Sequence, residues 1–394
     1  MVVASVQLLD STLREGEQTP GVNFSLKEKL EIATLVDQFG VDIIEAGHPA
    51  ISPQIKRAVQ RISRAGHQAQ ILAHCRAIRA DIDVAIDCDV DWVGIFFCLR
   101  NEALEDRYRK DLGQALALIT DVVEYAKAHG LKVRYTPEDT VRSPIDNVVK
   151  VALACKAAGV DRIGVADTVG VMTPLRMYQF VHLLRERTGL ELNVHCHNDL
   201  GMAVANSLTA VEAGARLIDT TVNGLGERTG IAPLAETAMA LALRYGMENR
   251  WEFPLLPQLS EVVARASRIP IPAQAPVVGR NAFTHNAGLH VSAVLIDPSH
   301  YESIPAELVG RTRDVALDKM AGRPTLTYRL DRLGVHVSEE LFEEVFMRIK
   351  ALRKSQLDDR QLLSLVTKLS GGLSILPKTA VGAPLGADEK TTAP

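Results

Sequence analysis

The feature that most constrains this chain is an alternation repeated across its first 250 residues. Short apolar, β-rich runs at 6–9, 42–46, 69–73, 92–97, 132–135, 162–166, 192–195 and 217–222 are separated by longer segments. Amphipathic helices are expected in several of those segments, over 26–39, 112–129, 145–158, 174–187 and 204–213. Many segments end in Gly, at 40, 66, 130, 159 and 214, which is a helix C-terminal signal. Eight strand–helix units of this size close naturally into an α/β fold of the (β/α)8 TIM-barrel type. An open, doubly wound sheet is the other arrangement such alternation allows. Against it, the first run is not followed by a Gly-rich dinucleotide turn.

Barrel chemistry collects at the C-terminal ends of the strands, and polar clusters follow the apolar runs one after another. They are Asp10 to Gln18, Glu45 to His48, His74, Glu138-Asp139, Asp167-Thr168, His195 to Asp199, and Asn223 to Arg228. Past residue 252 the pattern changes. Residues 1–252 read as the catalytic barrel and 253–335 as a proline-marked linker with a mixed subdomain. Residues 336–370 read as a helical C-terminal subdomain, with one helical region over 339–368, and 371–394 as a flexible tail rich in Gly, Ala, Pro and Thr.

The 394 residues allow one large domain and a smaller one, and 47% hydrophobic residues exclude wholesale disorder. A net charge of −4 gives no general attraction to nucleic acid or to anionic membranes, so any anion must be held by locally placed groups. The five cysteines are odd in number and form no CxxC pair, which argues against a disulfide framework or a structural zinc knuckle. The N-terminal residues lack the pattern of a signal peptide, and no stretch reaches the length of a bilayer span. A reducing cytoplasm is the expected location.

His195 and His197 are two apart at a strand end, so their side chains share a face. Two imidazoles on one face can hold a divalent metal, with Glu15 from the first loop as an oxygen ligand. A pair of structural histidines is the plainer reading. Asn223 could add a neutral amide oxygen. Asp10 and Asp199 read as acceptors that orient a ligand imidazole. Arg14, beside Glu15, suits a bidentate carboxylate, and Thr168 could donate to the same group. Arg134 lies within the fifth run. Facing inward, it would need an anion; facing outward, it would pair with a helix acid. His74 has the same two readings. Glu138 could move a proton or orient a catalytic group. His285, His290 and Tyr301 lie past the barrel, where they are either structural or a source of acid–base chemistry from an appended segment. The Gly-rich stretch 223–230 could hold a phosphate.

Asp-Ser-Thr-Leu-Arg-Glu-Gly-Glu-Gln at 10–18, His-Cys-His-Asn-Asp at 195–199 and Asn-Gly-Leu-Gly-Glu-Arg at 223–228 together resemble the homocitrate synthase and 2-isopropylmalate synthase family. The resemblance covers residues 5–335. It implies a metal-dependent Claisen condensation of acetyl-CoA with a 2-oxo acid, followed by thioester hydrolysis. It implies Glu15, His195 and His197 as ligands of one divalent ion (Mg, Mn, Zn or Co), and Arg14 and Thr168 as holders of the 2-oxo acid carboxylate. Glu138, His290 and Tyr301 match catalytic positions. In the family, the segment with this His and Tyr comes from the partner subunit, which implies a homodimer with exchanged C-terminal elements.

Arg-Glu at 14–15, Ala-Asp-Thr-Val-Gly at 166–170, and Arg134 with His74 for a distal carboxylate are similar to homocitrate synthases and imply 2-oxoglutarate and lysine biosynthesis. The chain also ends without room for a leucine-sensing domain. Asn223 and its loop, in contrast, look closer to the isopropylmalate pattern. Oxaloacetate, phosphonopyruvate and a retro-aldol lyase are the remaining alternatives.

Overall fold

The computed structural model describes residues 6–247, 250–353 and 356–371. Eight parallel strands form a closed barrel in sequence order: β1 (Gln7–Asp10), β2 (Ile43–Gly47), β3 (Gln70–Arg76), β4 (Trp92–Cys98), β5 (Lys132–Glu138), β6 (Arg162–Asp167), β7 (Leu192–Cys196) and β8 (Leu217–Thr220). Closure is made by β1 against β8, with Gln7 opposite Leu217 and Asp10 opposite Thr220. Helices α1 (Leu26–Phe39), α2 (Pro53–Ser63), α3 (Arg79–Asp87), α4 (Leu112–Ala128), α5 (Ile145–Ala157), α6 (Pro174–Thr188), α7 (Ala203–Glu212) and α8 (Leu234–Tyr245) follow the strands in turn. The barrel reading of the sequence therefore holds, and the doubly wound alternative does not.

Local chemistry sets the boundaries. Ser25 and Glu28 form a reciprocal capping box at the start of α1, and Gly40 ends it in the left-handed region at φ 102°. Ser52 caps α2, with Pro53 as its first residue. Strand β5 runs three residues past its expected end, through Pro137. Its pairing with β4 continues to Glu138, whereas its pairing with β6 stops at Tyr135. A proline has no N–H for the ladder, so one side closes and the other goes on. Strand β8 is shorter than expected because the chain turns at 222–224, where Asn223 sits at φ 59°.

Apolar side chains from strands and helices fill the interior, with Leu9, Ile43, Leu72, Trp92 and Leu217 forming one buried cluster. All five cysteines are buried free thiols. Among the described residues, no helix is long and apolar enough to cross a membrane.

The chain divides into two compact units, Met1–Gly279 and Arg280–Pro394. Helix α9 (Leu256–Ser267) belongs to the first, so the barrel unit extends past the proline-marked stretch. The second unit holds β9 (Thr284–His285), α10 (Gly288–Ile296), β10 (Asp314–Val315), α11 (Arg323–Arg332), α12 (Glu339–Lys350) and α13 (Asp359–Leu369). The helical region expected over 339–368 holds two helices. Asp358 and Gln361 form a fresh capping box at the start of α13 and interrupt the pattern. Leu326, Leu330, Phe342, Val345, Ile349, Leu362 and Val366 pack these helices together. The expected tail at 371–394 lies, apart from Gly371, outside the described residues.

Candidate active site

The C-terminal ends of the strands surround a cavity of about 370 Å³. Arg14, Glu15, His74, Arg134, Glu138, Thr168, His195 and His197 all line it. Residues spread over more than 180 positions thus meet because each follows, or ends, a strand of one closed barrel.

Glu15, His195 and His197 present ligand atoms that lie within 4.8 Å of one another, and all three residues are buried. The two Nε2 atoms are 3.3 Å apart, and His195 Nε2 is 3.8 Å from Glu15 Oε2. Two nitrogens bound about 2.1 Å from one ion at near-octahedral to tetrahedral angles would stand about 3.0–3.4 Å apart, so the spacing fits. Protonation fits as well. Burial pushes the Glu15 carboxyl up, but Arg14, His195 and His197 outweigh it and hold the group below the usual carboxylate range. Burial, then His195, lower the His197 pKa to about 4, which leaves a neutral imidazole. Its buried Nδ1 has no hydrogen-bond partner. His195 Nδ1 faces Asp219 Oδ2 at 3.1 Å, a contact that places the proton on Nδ1 and frees Nε2.

Asp219 was not among the residues picked out from the sequence, and the two acceptors named there serve other partners. Asp10 accepts from Thr12 N and Thr12 Oγ1, and burial raises its pKa to about 7. Asp199 is engaged by Arg228, which donates to both of its oxygens. Asn223 also departs from expectation. Its Nδ2 donates to Ser260 O and its Oδ1 accepts from Ser260 Oγ, so both ends of the amide are engaged by Ser260. The Gly-rich loop after β8 wraps Glu15 instead of forming an empty phosphate cradle. Glu227 N donates to Glu15 Oε1 at 2.9 Å, and a Cβ at Gly226 would come 2.9 Å from the same oxygen.

Arg134 points inward. Its Nη2 donates to Glu45 Oε1 at 3.0 Å, and Nη1 contacts both Asp219 oxygens at 3.2 Å. Its Nε and the neighbouring Thr136 Oγ1 are buried without hydrogen-bond partners. Glu45 is the second hub. It accepts from Arg14 Nε at 2.8 Å and from Ser11 Oγ, and His74 Nδ1 lies 3.0 Å away. Burial raises the Glu45 carboxyl, but Arg14 and Arg134 overcome this and hold it well below its ordinary value. Burial opposes the charge on Arg14, and Glu45 and Glu15 reverse that, holding the guanidinium above its usual range. His74 is neutral, lowered to about 4 by burial and by Arg14. Thr168 Oγ1 accepts from Asp139 N, which leaves the hydroxyl proton free to donate. Glu138 is tied to Arg107 Nη1 at 2.5 Å at the rim.

A second cavity, about 760 Å³, shares Arg14, Gln18, His48 and His74 with the first. It leads out between the N-terminal ends of α1 and α2, past Phe24, Ser25, Lys29, Ser52, Ile55 and Arg57. In the 280–394 unit, His290 and Tyr301 are stacked with ring centroids 4.2 Å apart. His285, picked out with them, accompanies Arg313 on the Glu302 carboxylate.

The closed barrel, with imidazoles, a buried glutamate and two arginines converging at its mouth, defines the class as a TIM-barrel enzyme with a candidate metal site. Residues 5–263 match the HMGL-like family model, and residues 277–357 match the homocitrate synthase post-HMGL domain-like model. The chain is 48% identical to the homocitrate synthase of Pyrococcus horikoshii over 88% of its own length and 95% of that protein. It is 46% identical to homocitrate synthase AksA of Methanopyrus kandleri, over 92% and 91% of the two chains. The HMG-CoA lyase structure from Bacillus subtilis aligns with TM-score 0.63 at 18% identity, over 70% of this chain and 98% of that one, and shares the fold. The chain belongs to the homocitrate synthase family within the HMGL-like enzymes.

Proposed function

We propose that this enzyme condenses acetyl-CoA with 2-oxoglutarate, giving homocitrate and CoA. The observation that carries the reading is Arg134, which lies inside the barrel and lines the same cavity as the Glu15–His195–His197 cluster. A second carboxylate on the substrate would meet its cationic side chain there. The 48% identity to homocitrate synthases supports the same choice. Asn223, the residue that favoured an isopropylmalate-type acid, is occupied by Ser260.

Glu15, His195 and His197 would hold one divalent ion of the Mg, Mn, Zn or Co type, which would supply Lewis-acid polarisation of the keto carbonyl. Arg14 and Thr168 grip the carboxylate next to that carbonyl, so the reacting carbon is fixed in one orientation. Arg134, with His74, receives the distal carboxylate. The larger cavity takes the pantetheine arm, with apolar walls along the arm and Lys29 and Arg57 toward the charged end. His290, assisted by Tyr301 or Glu138, removes a proton from the acetyl methyl group. The new carbon–carbon bond forms at the keto carbon, and the oxygen left negative there lies beside Arg14. Water then cleaves the thioester and CoA leaves.

The His290–Tyr301 pair serves the barrel of a partner subunit. Leu289 and Ile296 on α10 are 76% and 81% exposed, and Tyr301 is 46% exposed, as expected of a surface that a second copy covers. The homodimer acts in the cytoplasm, within amino-acid biosynthesis. A thiol-reagent assay for CoA release, run with acetyl-CoA and a panel of 2-oxo acids, tests the function. The fastest release is expected with 2-oxoglutarate. Preference for 2-oxoisovalerate, or no release with any acid, would overturn it.

A further inference from the structure

One carboxylate in the barrel touches both the metal grip and the specificity arginine. Asp219 Oδ2 lies 3.1 Å from His195 Nδ1, and both Asp219 oxygens lie 3.2 Å from Arg134 Nη1. Asn193 Nδ2 donates to Asp219 Oδ1 at 2.7 Å and completes its surroundings. Asp219 is 2% exposed, Arg134 3% and Asn193 1%, so water does not compete for these contacts. Glu45, the other partner of Arg134, has no such bond to either imidazole, and its remaining contacts are Arg14, Ser11 and His74.

We propose that Asp219 is a positioning residue that couples the Glu15–His195–His197 metal grip to the pocket for the substrate's distal carboxylate. The inference rests on the functional reading above and extends it to a carboxylate at the wall of the same cavity that acts through His195 and Arg134. A carboxylate behind a ligand imidazole fixes the ring's tautomer and orientation and raises its basicity. The same carboxylate holds the Arg134 fork in place against the opposite pull of Glu45. Its removal therefore loosens two sites at once, whereas loss of Arg134 affects only one.

The test uses the full-length chain stripped with chelator, with Mn²⁺ alone as the metal probe, titrated by electron paramagnetic resonance. Asp219→Asn is expected to weaken Mn²⁺ binding by about 10–100-fold. It is also expected to lower the preference for 2-oxoglutarate over 2-oxoisovalerate, as a ratio of kcat/KM, by about tenfold. Arg134→Met is expected to lower that preference while leaving the Mn²⁺ Kd within about threefold of wild type. Should Asp219→Asn fold poorly by circular dichroism, Asn193→Ala keeps the carboxylate and removes one of its bonds, and should shift both quantities in the same direction by less.

A Mn²⁺ Kd unchanged in Asp219→Asn, or an unchanged dicarboxylate preference, overturns the coupling. A folded Asn193→Ala protein with only one quantity shifted does the same. The wild-type titration and acid panel report separately on the functional reading, because they do not involve Asp219 substitution.

Discussion

At the barrel mouth, charged groups already have opposite charges in contact: Arg14 with Glu45 and Glu15, and Arg134 with Glu45 and Asp219. On the 280–394 unit, Tyr301 stands 46% exposed against His290, on a surface that also shows Leu289 and Ile296 to solvent. The first region is organised before any substrate arrives, and closure of one barrel is enough to build it. The second holds a stacked His–Tyr pair on an exposed surface, which the proposed function would have a second copy cover. Fixed dipoles and guanidinium groups are most effective when they need no reorganisation during the reaction. Proton-transfer groups, by contrast, can be brought in with a closing surface that excludes water.

The largest break in this comparison should come from the barrel side. If His195 is a metal ligand as proposed, His195→Ala removes that ligand and the contact to Asp219, so CoA release should fall by roughly a thousandfold or more, with Mn²⁺ binding lost in the same titration. Tyr301→Phe should lower kcat by about 10²-fold, in the range for one acid–base group. Because Tyr301 belongs to the other unit, the Mn²⁺ Kd and the KM for 2-oxoglutarate should stay at wild-type values in steady-state and binding measurements. An equal loss of metal affinity would erase the distinction between the two regions.

Arg134→Met should raise the KM for 2-oxoglutarate by about tenfold or more while that for 2-oxoisovalerate changes little. It also leaves Glu45 and Asp219 without their shared cation, so urea denaturation should show a loss of about 3–5 kcal/mol. Equal KM effects on both acids would remove Arg134 from substrate selection. The smallest effect concerns pH. His74, lowered to about 4, is uncharged when folded but takes a proton near 6.5 when unfolded. The unfolded state then binds more protons between those values, so this group's contribution is present above pH 6.5 and lost as pH falls toward 4. In thermal melts, His74→Gln should flatten the fall in stability over that window.

The barrel itself was legible because strand–helix alternation and Gly-terminated helices are local signals. So were the strand-end positions of Glu15, Arg14, Thr168, His195 and His197, since each follows an apolar run. Asp219 was missed because it sits inside such a run, Leu217-Ile218-Asp219-Thr220, and its partners Arg134 and His195 lie 85 and 24 residues away. Only closure of the barrel brings them together. Inward-facing alternation within β8 was the available clue. Asn223 misled for a different reason. Its positive φ swings the amide toward Ser260, 37 residues on, and no spacing rule carries that turn. The interruption between α12 and α13 was likewise hidden because apolar periodicity continues on both sides of it.

The most direct measurement of the two-region account mixes two impaired proteins, His195→Ala and Tyr301→Phe, under conditions that allow subunits to exchange. If the His290–Tyr301 pair serves the partner's barrel, half of the sites in each mixed dimer are intact. CoA release should then return to roughly a quarter of the wild-type rate at statistical mixing. No recovery above the separate variants, with exchange verified by native mass spectrometry, would contradict a site assembled from two subunits.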